Sequence, residues 1–194
     1  MEPNLFHGIR DYNLYKLINI LKCGYILPRK DLEEKYRYKN IDEVDLNGNE
    51  WISLSQKSLY DEYMGSLSLS SFYRFSYNHL CFVIKNNFKD IHYTNFIDFD
   101  LYGSAFFKSM VKDDSNERYS SFMDEVQTNI PIPRSDFLAI GYPKKAFQEK
   151  CDVKKDLRMI KEILENTNTD IPIVDSSYYD FADNKEKIKK YTIV

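Results

Sequence analysis

No apolar run in this chain is longer than the five residues Leu80–Ile84. A bilayer-crossing helix needs roughly 20 consecutive apolar residues, so no membrane span is expected. The core must instead be assembled from short strands and one-sided helices drawn from along the chain. The run is rich in β-formers and predicts a buried strand over Leu80–Lys85. Material for a core is ample: of 194 residues 43% are hydrophobic and 15% aromatic, with only six Gly and six Pro. That composition excludes disordered and collagen-like chains and fits one domain over residues 1–194.

Lys and Arg number 27 against 30 Asp and Glu, a net charge of -3. Such a balance gives no global attraction to nucleic acid and leaves room only for a local basic patch. The first residues include Glu2, Asn4 and His7 rather than a basic leader, so no export signal is expected; the expected setting is cytoplasmic, of the producing cell or of a target cell, with secretion by a dedicated system left open. Cys23, Cys81 and Cys151 are odd in number and widely spaced, which predicts buried, reduced thiols.

Leu14, Leu17, Ile18 and Leu21 lie at helical spacing, so a helix is expected from Asn13 to Cys23 with Gly24 as its stop. Asp31–Asn49 reads as a charged surface excursion, and Ser58–Phe75 as helix followed by loop. Strands are expected at Trp51–Ser55, Asn95–Leu101, Phe122–Asn129 and Phe137–Gly141, with a polar loop over Lys112–Arg118. Pro131 and Pro133 separate the last two strands, because neither can donate to a ladder. Two helices are expected to close the chain, at Val153–Asn166 and Tyr178–Lys189. The Lys185–Lys190 stretch reads as a solvated helix face. His79 and Cys81 share a strand face, but no second ligand pair stands near them, so core packing is the better reading and no metal site is expected.

Leu5-Phe6-His7-Gly8 stands just before the first helix, which runs from Asn13 to Ile20-Leu21-Lys22-Cys23-Gly24. This pattern resembles the ADP-ribosyltransferase superfamily, in the branch of diphtheria-like toxins and poly(ADP-ribose) polymerases. There an L-[FW]-H-G strand precedes a helix ending in I-L-x-x-G. The family draws on three separated strands: a first His, a Tyr or Ser on the second, and a late catalytic Glu. In this chain His7 precedes Ser53 by 46 residues and Ser53 precedes Glu125 by 72. Ile130-Pro131-Ile132-Pro133 and Phe137–Ile140 then follow, similar to the family's turn and next strand. The resemblance covers residues 5–141, with 150–194 as a helical extension. It implies an α+β fold of split antiparallel sheets with flanking helices.

What the resemblance implies chemically is cleavage of NAD, the co-substrate, with transfer of ADP-ribose. Breaking the bond from nicotinamide to ribose develops positive charge at the anomeric carbon, and a carboxylate on a ribose hydroxyl stabilises that charge. Glu125 takes this role by resemblance. His7 would bond a ribose hydroxyl, and Gly8 would let the backbone approach the nicotinamide carboxamide. Ser53, with Ser55 as the register alternative, would support Glu125 or the ribose. Tyr60 or Tyr63 would stack on the nicotinamide, and Arg10 or Arg29 would meet the pyrophosphate. Met123 stands two residues before Glu125, where arginine-modifying members carry Glu or Gln. Ser53 replaces the polymerase-like tyrosine, and Ile9 replaces a hydroxyl residue.

The implied activity is mono-ADP-ribosyl transfer to a macromolecular acceptor, protein or nucleic acid, in the manner of a bacterial or phage toxin or effector. Such a protein would meet an antitoxin or immunity partner, and no membrane. Two alternatives stand beside it: an NAD glycohydrolase with water as acceptor, and an inactive binding module of the same fold. The chain contains no P-loop, dinucleotide-binding Gly-x-Gly-x-x-Gly, His-Glu-x-x-His or nucleophile-elbow motif.

Overall fold

A computed structural model describes residues 4–9, 13–28, 31–32, 52–56, 79–86, 92–95, 112–113, 123–148 and 151–194. In chain order these residues form β1 (Leu5–Gly8), α1 (Leu14–Cys23), β2 (Tyr25–Ile26), β3 (Ile52–Gln56), β4 (Cys81–Ile84), β5 (His92–Asn95) and β6 (Lys112–Asp113). There follow β7 (Met123–Thr128), β8 (Ile132–Pro133), a 3-10 turn at Arg134–Asp136, β9 (Phe137–Tyr142), α2 (Lys144–Phe147), α3 (Val153–Asn166), β10 (Ile173–Asp175) and α4 (Lys185–Lys190). The architecture is α+β. Among the described residues one sheet runs β10-β9-β4-β1-β3-β7-β5-β6, and β2 and β8 form a second, two-stranded sheet.

Every residue of β4 is buried, because both faces of that strand are covered. Phe82 and Ile84 pack with Leu17 and Leu21 of α1 and Ile160 and Leu164 of α3. Cys81 and Val83 pack on the other side with Phe6, Ala139, Val174, Phe181 and Ile188. The period-2 alternation of a strand thus feeds two cores at once, which explains an apolar run without polar alternation. Each such side chain contributes about 1.5–3 kcal/mol when fully buried.

The helix over α1 follows from its caps as well as its apolar stripe. The Asn13 side chain accepts from the Lys16 amide at 3.2 Å, and Gly24 closes the other end at φ 82°, its amide donating to Ile20. Arg134 Nη1 donates to the Leu21 carbonyl at 2.8 Å, satisfying an acceptor that the helix end leaves over. That bond and the β2–β8 pairing tie the turn after β7 to the end of α1. α3 is capped by Asp152, and buried Tyr142 donates from its hydroxyl to Asp156 at 2.9 Å.

Several segments depart from the sequence expectations. The helix expected at Tyr178–Lys189 is confined to Lys185–Lys190, because the preceding turns carry Phe181 and Ala182 into the second core. Lys112–Asp113, expected as loop, is an edge strand paired with β5. Ile132–Pro133 pairs with Tyr25–Ile26 at a sheet edge, where a missing amide donor is tolerated. A strand at His92–Asn95 was not anticipated, and of the strand expected at Asn95–Leu101 residues 96–101 lie outside the described residues. β10, unanticipated, pairs parallel with β9. Only Cys81 of the three thiols is buried; Cys23 and Cys151 are exposed, and all three are free. The excursion at 33–49 and the Ser58–Phe75 segment also lie outside the described residues. No described helix is long and apolar enough to cross a membrane.

The second core closes on Gly141, which sits opposite Cys81. A Cβ at Gly141 would stand 2.5 Å from Cys81 Sγ and 3.2 Å from both Phe181 and Ser176. Gly141→Ala is expected to destabilise the fold by about 1–3 kcal/mol through overpacking. Cys81→Ala combined with it should recover part of the loss, because the sulfur is the closest obstacle. Denaturant unfolding of the two single variants and the double variant measures the coupling, and strictly additive effects would contradict this packing.

Candidate active site

β1 is the strand on which the two halves of the large sheet meet. Its ladder with β4 runs the whole strand, from Leu5↔Ile84 to Gly8↔Cys81. Its ladder with β3 spans only Leu5↔Gln56 and Phe6↔Ser55. β3 continues against β7 from Ser55 to Ile52. The sheet therefore forks after Phe6, with β1 and β4 on one arm and β3 and β7 on the other. His7 and Gly8 occupy the first arm just past the branch.

The three strands that carry the candidate residues are consecutive neighbours in the order β1-β3-β7. Glu125 stands directly opposite Ser55, and Ser55 opposite Phe6, one residue before His7. On its other side Glu125 is opposite Thr94 of β5. β7 is thus an internal strand whose position is set by ladders on both edges. At a spacing of about 4.8 Å between neighbours, β1 and β7 lie roughly 10 Å apart.

Cross-strand partners share a face of the sheet, so the positions of Phe6, Ser55 and Glu125 belong to one face, together with Ser53 and its partner Gln127. Alternation along β1 places His7 with Leu5 on the opposite face. The two arms are no longer paired at that point, so His7 stands half-buried at the branch itself. Of the two serines, Ser55 rather than Ser53 takes the place across from Glu125. Gln127 escaped sequence reading, although its spacing of two from Glu125 marks it as a same-face residue. Arg10, Arg29, Tyr60 and Tyr63 lie outside the described residues.

Leu80 and Cys81 flank the site on the β4 side. The Ile9 amide donates to the Leu80 carbonyl at 2.7 Å, which carries the β1–β4 pairing past Gly8. Ile9 is itself buried in the helix-side core. A groove of about 750 Å³, lined by residues that include Tyr25, Lys85, Arg134 and Asp170, opens near Lys85, at the Leu5 end of β1 and away from Gly8. Among the described residues no group of three or more metal-ligating side chains occurs.

Cys81 faces Gly8 across the ladder, yet it is not equipped as a nucleophile. Burial pushes its thiol up to about 12, opposed only in part by a backbone hydrogen bond at Gly141, and the thiolate is the reactive form. A chromogenic disulfide at pH 8 should therefore label Cys23 and Cys151 promptly in the native protein, and Cys81 only after denaturation. In a Cys23→Ser/Cys151→Ser variant the prompt phase should vanish; its persistence with the fold intact would show that the β4 side of the site is open.

A scan against protein-family models and a comparison with curated protein sequences return no match to this chain, so the reading of the site rests on its own residues and pairings.

Proposed function

We propose that this chain is a mono-ADP-ribosyltransferase, with an ADP-ribosyltransferase-like fold, that cleaves NAD and transfers ADP-ribose to a macromolecular acceptor. The observation that carries the reading is the adjacency of β1, β3 and β7, with Glu125 paired opposite Ser55 at the level where the sheet forks beside His7-Gly8. These segments are far apart in sequence, and their meeting on consecutive strands is what a shared site requires.

In this reading NAD lies along the fork. The nicotinamide carboxamide meets backbone groups at Gly8, where a side chain would obstruct it. His7, whose position is on the opposite face of β1, would reach a ribose hydroxyl through the gap where the two arms part, and Ser55 or Ser53 would orient Glu125. As the bond from the anomeric carbon to the nicotinamide nitrogen breaks, the electron pair leaves with the ring, which becomes neutral. The positive charge passes to the ribose, where the Glu125 carboxylate, held on the 2′-hydroxyl, stabilises it. An acceptor nucleophile then bonds the anomeric carbon and loses its proton.

Nicotinamide release by purified protein, with and without cell lysate, tests the proposal. Glu125→Gln should lower release by about a hundredfold or more, because it keeps shape and hydrogen bonding while removing the charge. Ser55→Ala should cost more than Ser53→Ala, since Ser55 stands across from Glu125. Release that needs lysate identifies a transferase, and release without it a hydrolase. Absence of release under every condition overturns the enzyme reading in favour of a binding module.

A further inference from the structure

Tyr178 and Tyr191 stack face to face, with ring centroids 4.5 Å apart and planes inclined by 17°. Each outer face lies beneath an ammonium group: Lys145 Nζ is 4.6 Å from the Tyr178 centroid and Lys190 Nζ 4.8 Å from that of Tyr191. The result is a column of four side chains drawn from α2, the turn after β10, and α4. Tyr178 is 39% exposed, and Lys145 and Lys190 are exposed as well. Tyr191 packs by one side on the second core, whereas Tyr178 is the more exposed of the two rings and is absent from both cores.

The column is nevertheless rigidly founded. Asp175 accepts from the amides of Lys144 at 3.3 Å and Ser177 at 3.0 Å, and the Ser177 hydroxyl accepts from the Lys145 amide at 3.0 Å. Asp175 in turn donates its own amide to the Tyr191 carbonyl at 2.9 Å. Asp175 and Ser177 are buried, so they fix the three segments bearing the aromatic and basic groups against one another. Asp180 accepts from Lys187 and from the Tyr191 hydroxyl, which sets the second ring. Asp183 and Glu186 lie at the start of α4, while Lys189 and Lys190 lie in its last turn, Lys190 over the Tyr191 ring.

We infer that this column is a binding surface for single-stranded nucleic acid. Tyr178 offers a preset ring on which an unstacked base settles once Lys145 moves off its outer face, and the flanking lysines then bind phosphates. Lys145, on a flexible stem, exchanges the ring for a phosphate as a base takes its place. An acidic peptide would use the charges but leave the rings idle, and a duplex hides its base faces. The chain's overall charge of -3 makes the surface a local one.

Its place in the sheet adds a second argument. Asp175 pairs with Tyr142, Gly141 with Cys81, and Cys81 with Gly8, so the column rises from the end of the sheet to which Gly8 points. β10 and β1 are three strand spacings apart, roughly 15 Å. A strand bound here therefore extends toward the fork, and as acceptor of ADP-ribose it would rest on the function proposed above; the binding itself does not.

Fluorescence anisotropy with labelled 12-nucleotide oligo-dT and oligo-U, in low salt and without NAD, tests the surface. Wild type should bind both, and a 12-base-pair duplex more weakly. Tyr178→Ala should weaken binding about tenfold, the loss typical of one stacked base, while Tyr178→Trp retains it. Lys145→Gln with Lys190→Gln should reduce the salt slope by about one or more. Thermal melts followed by circular dichroism confirm that the variants fold. Absence of binding by wild type, equal binding by Tyr178→Ala, or equal binding of poly-glutamate would each overturn the inference. Because NAD is left out, that result stands apart from the nicotinamide assay.

Discussion

Cys81, Phe82, Val83 and Ile84 have to leave water on both faces of one strand at once, and the rest of the described structure is arranged to make that possible. α1 and α3 cover the side of Phe82 and Ile84. The other side is covered by a segment with little regular structure, the turns around Phe181 and the short α4. That segment is anchored at several points. Asn4 Nδ2 donates to the Ala182 carbonyl at 2.7 Å, the Ser176 hydroxyl donates to the His79 carbonyl at 2.7 Å, and residues 191–194 pair along β10. Phe181 could not otherwise reach Phe6, whose ring lies 5.7 Å away. Double coverage makes β10-β9-β4-β1 a stiff platform, and β1 is the edge of it from which the β3-β7 arm departs.

The elements legible in the sequence are those whose cause is local. α1 announces itself through Asn13, the Leu14-Leu17-Ile18-Leu21 stripe and Gly24, each of which acts within a turn or two of its neighbours. α3 does the same through Asp152, Ile160 and Leu164. β2, β6, β8 and β10 were not legible, because two- or three-residue strands exist only by virtue of the edge they pair with. Lys112–Asp113 carries no apolar alternation at all and is a strand because Tyr93 and Thr94 offer it a ladder. At Tyr178–Asp183 the difference is of another kind: the helix expected over Tyr178–Lys189 gives way to turns that bury Phe181 and Ala182 in the second core.

The candidate site shows the same division. The order of His7, the serines and Glu125 along the chain was readable, and so were the strands that bear them. Their register was not, since a shift of one residue would exchange Ser55 for Leu54 across from Glu125 and send the candidate to the other face. Register is a property of the assembled sheet. It is fixed here by Leu54 and Ile52, both buried in the helix-side core, which leave Ser53 and Ser55 to the opposite face.

Forking after Phe6 has a consequence for chemistry at either face. Where neighbouring strands part, facing backbone groups no longer serve one another and have to be satisfied by other partners. The arm carrying Glu125 is held by ladders on both of its edges, so a carboxylate there can be kept in place without a dedicated loop. The stiff platform holds Gly8 on the other arm. On the function proposed above, groups bound to these two arms would be positioned by strand ladders rather than by loops, the arrangement in which a fixed charge can act on a transition state rather than relax around the ground state.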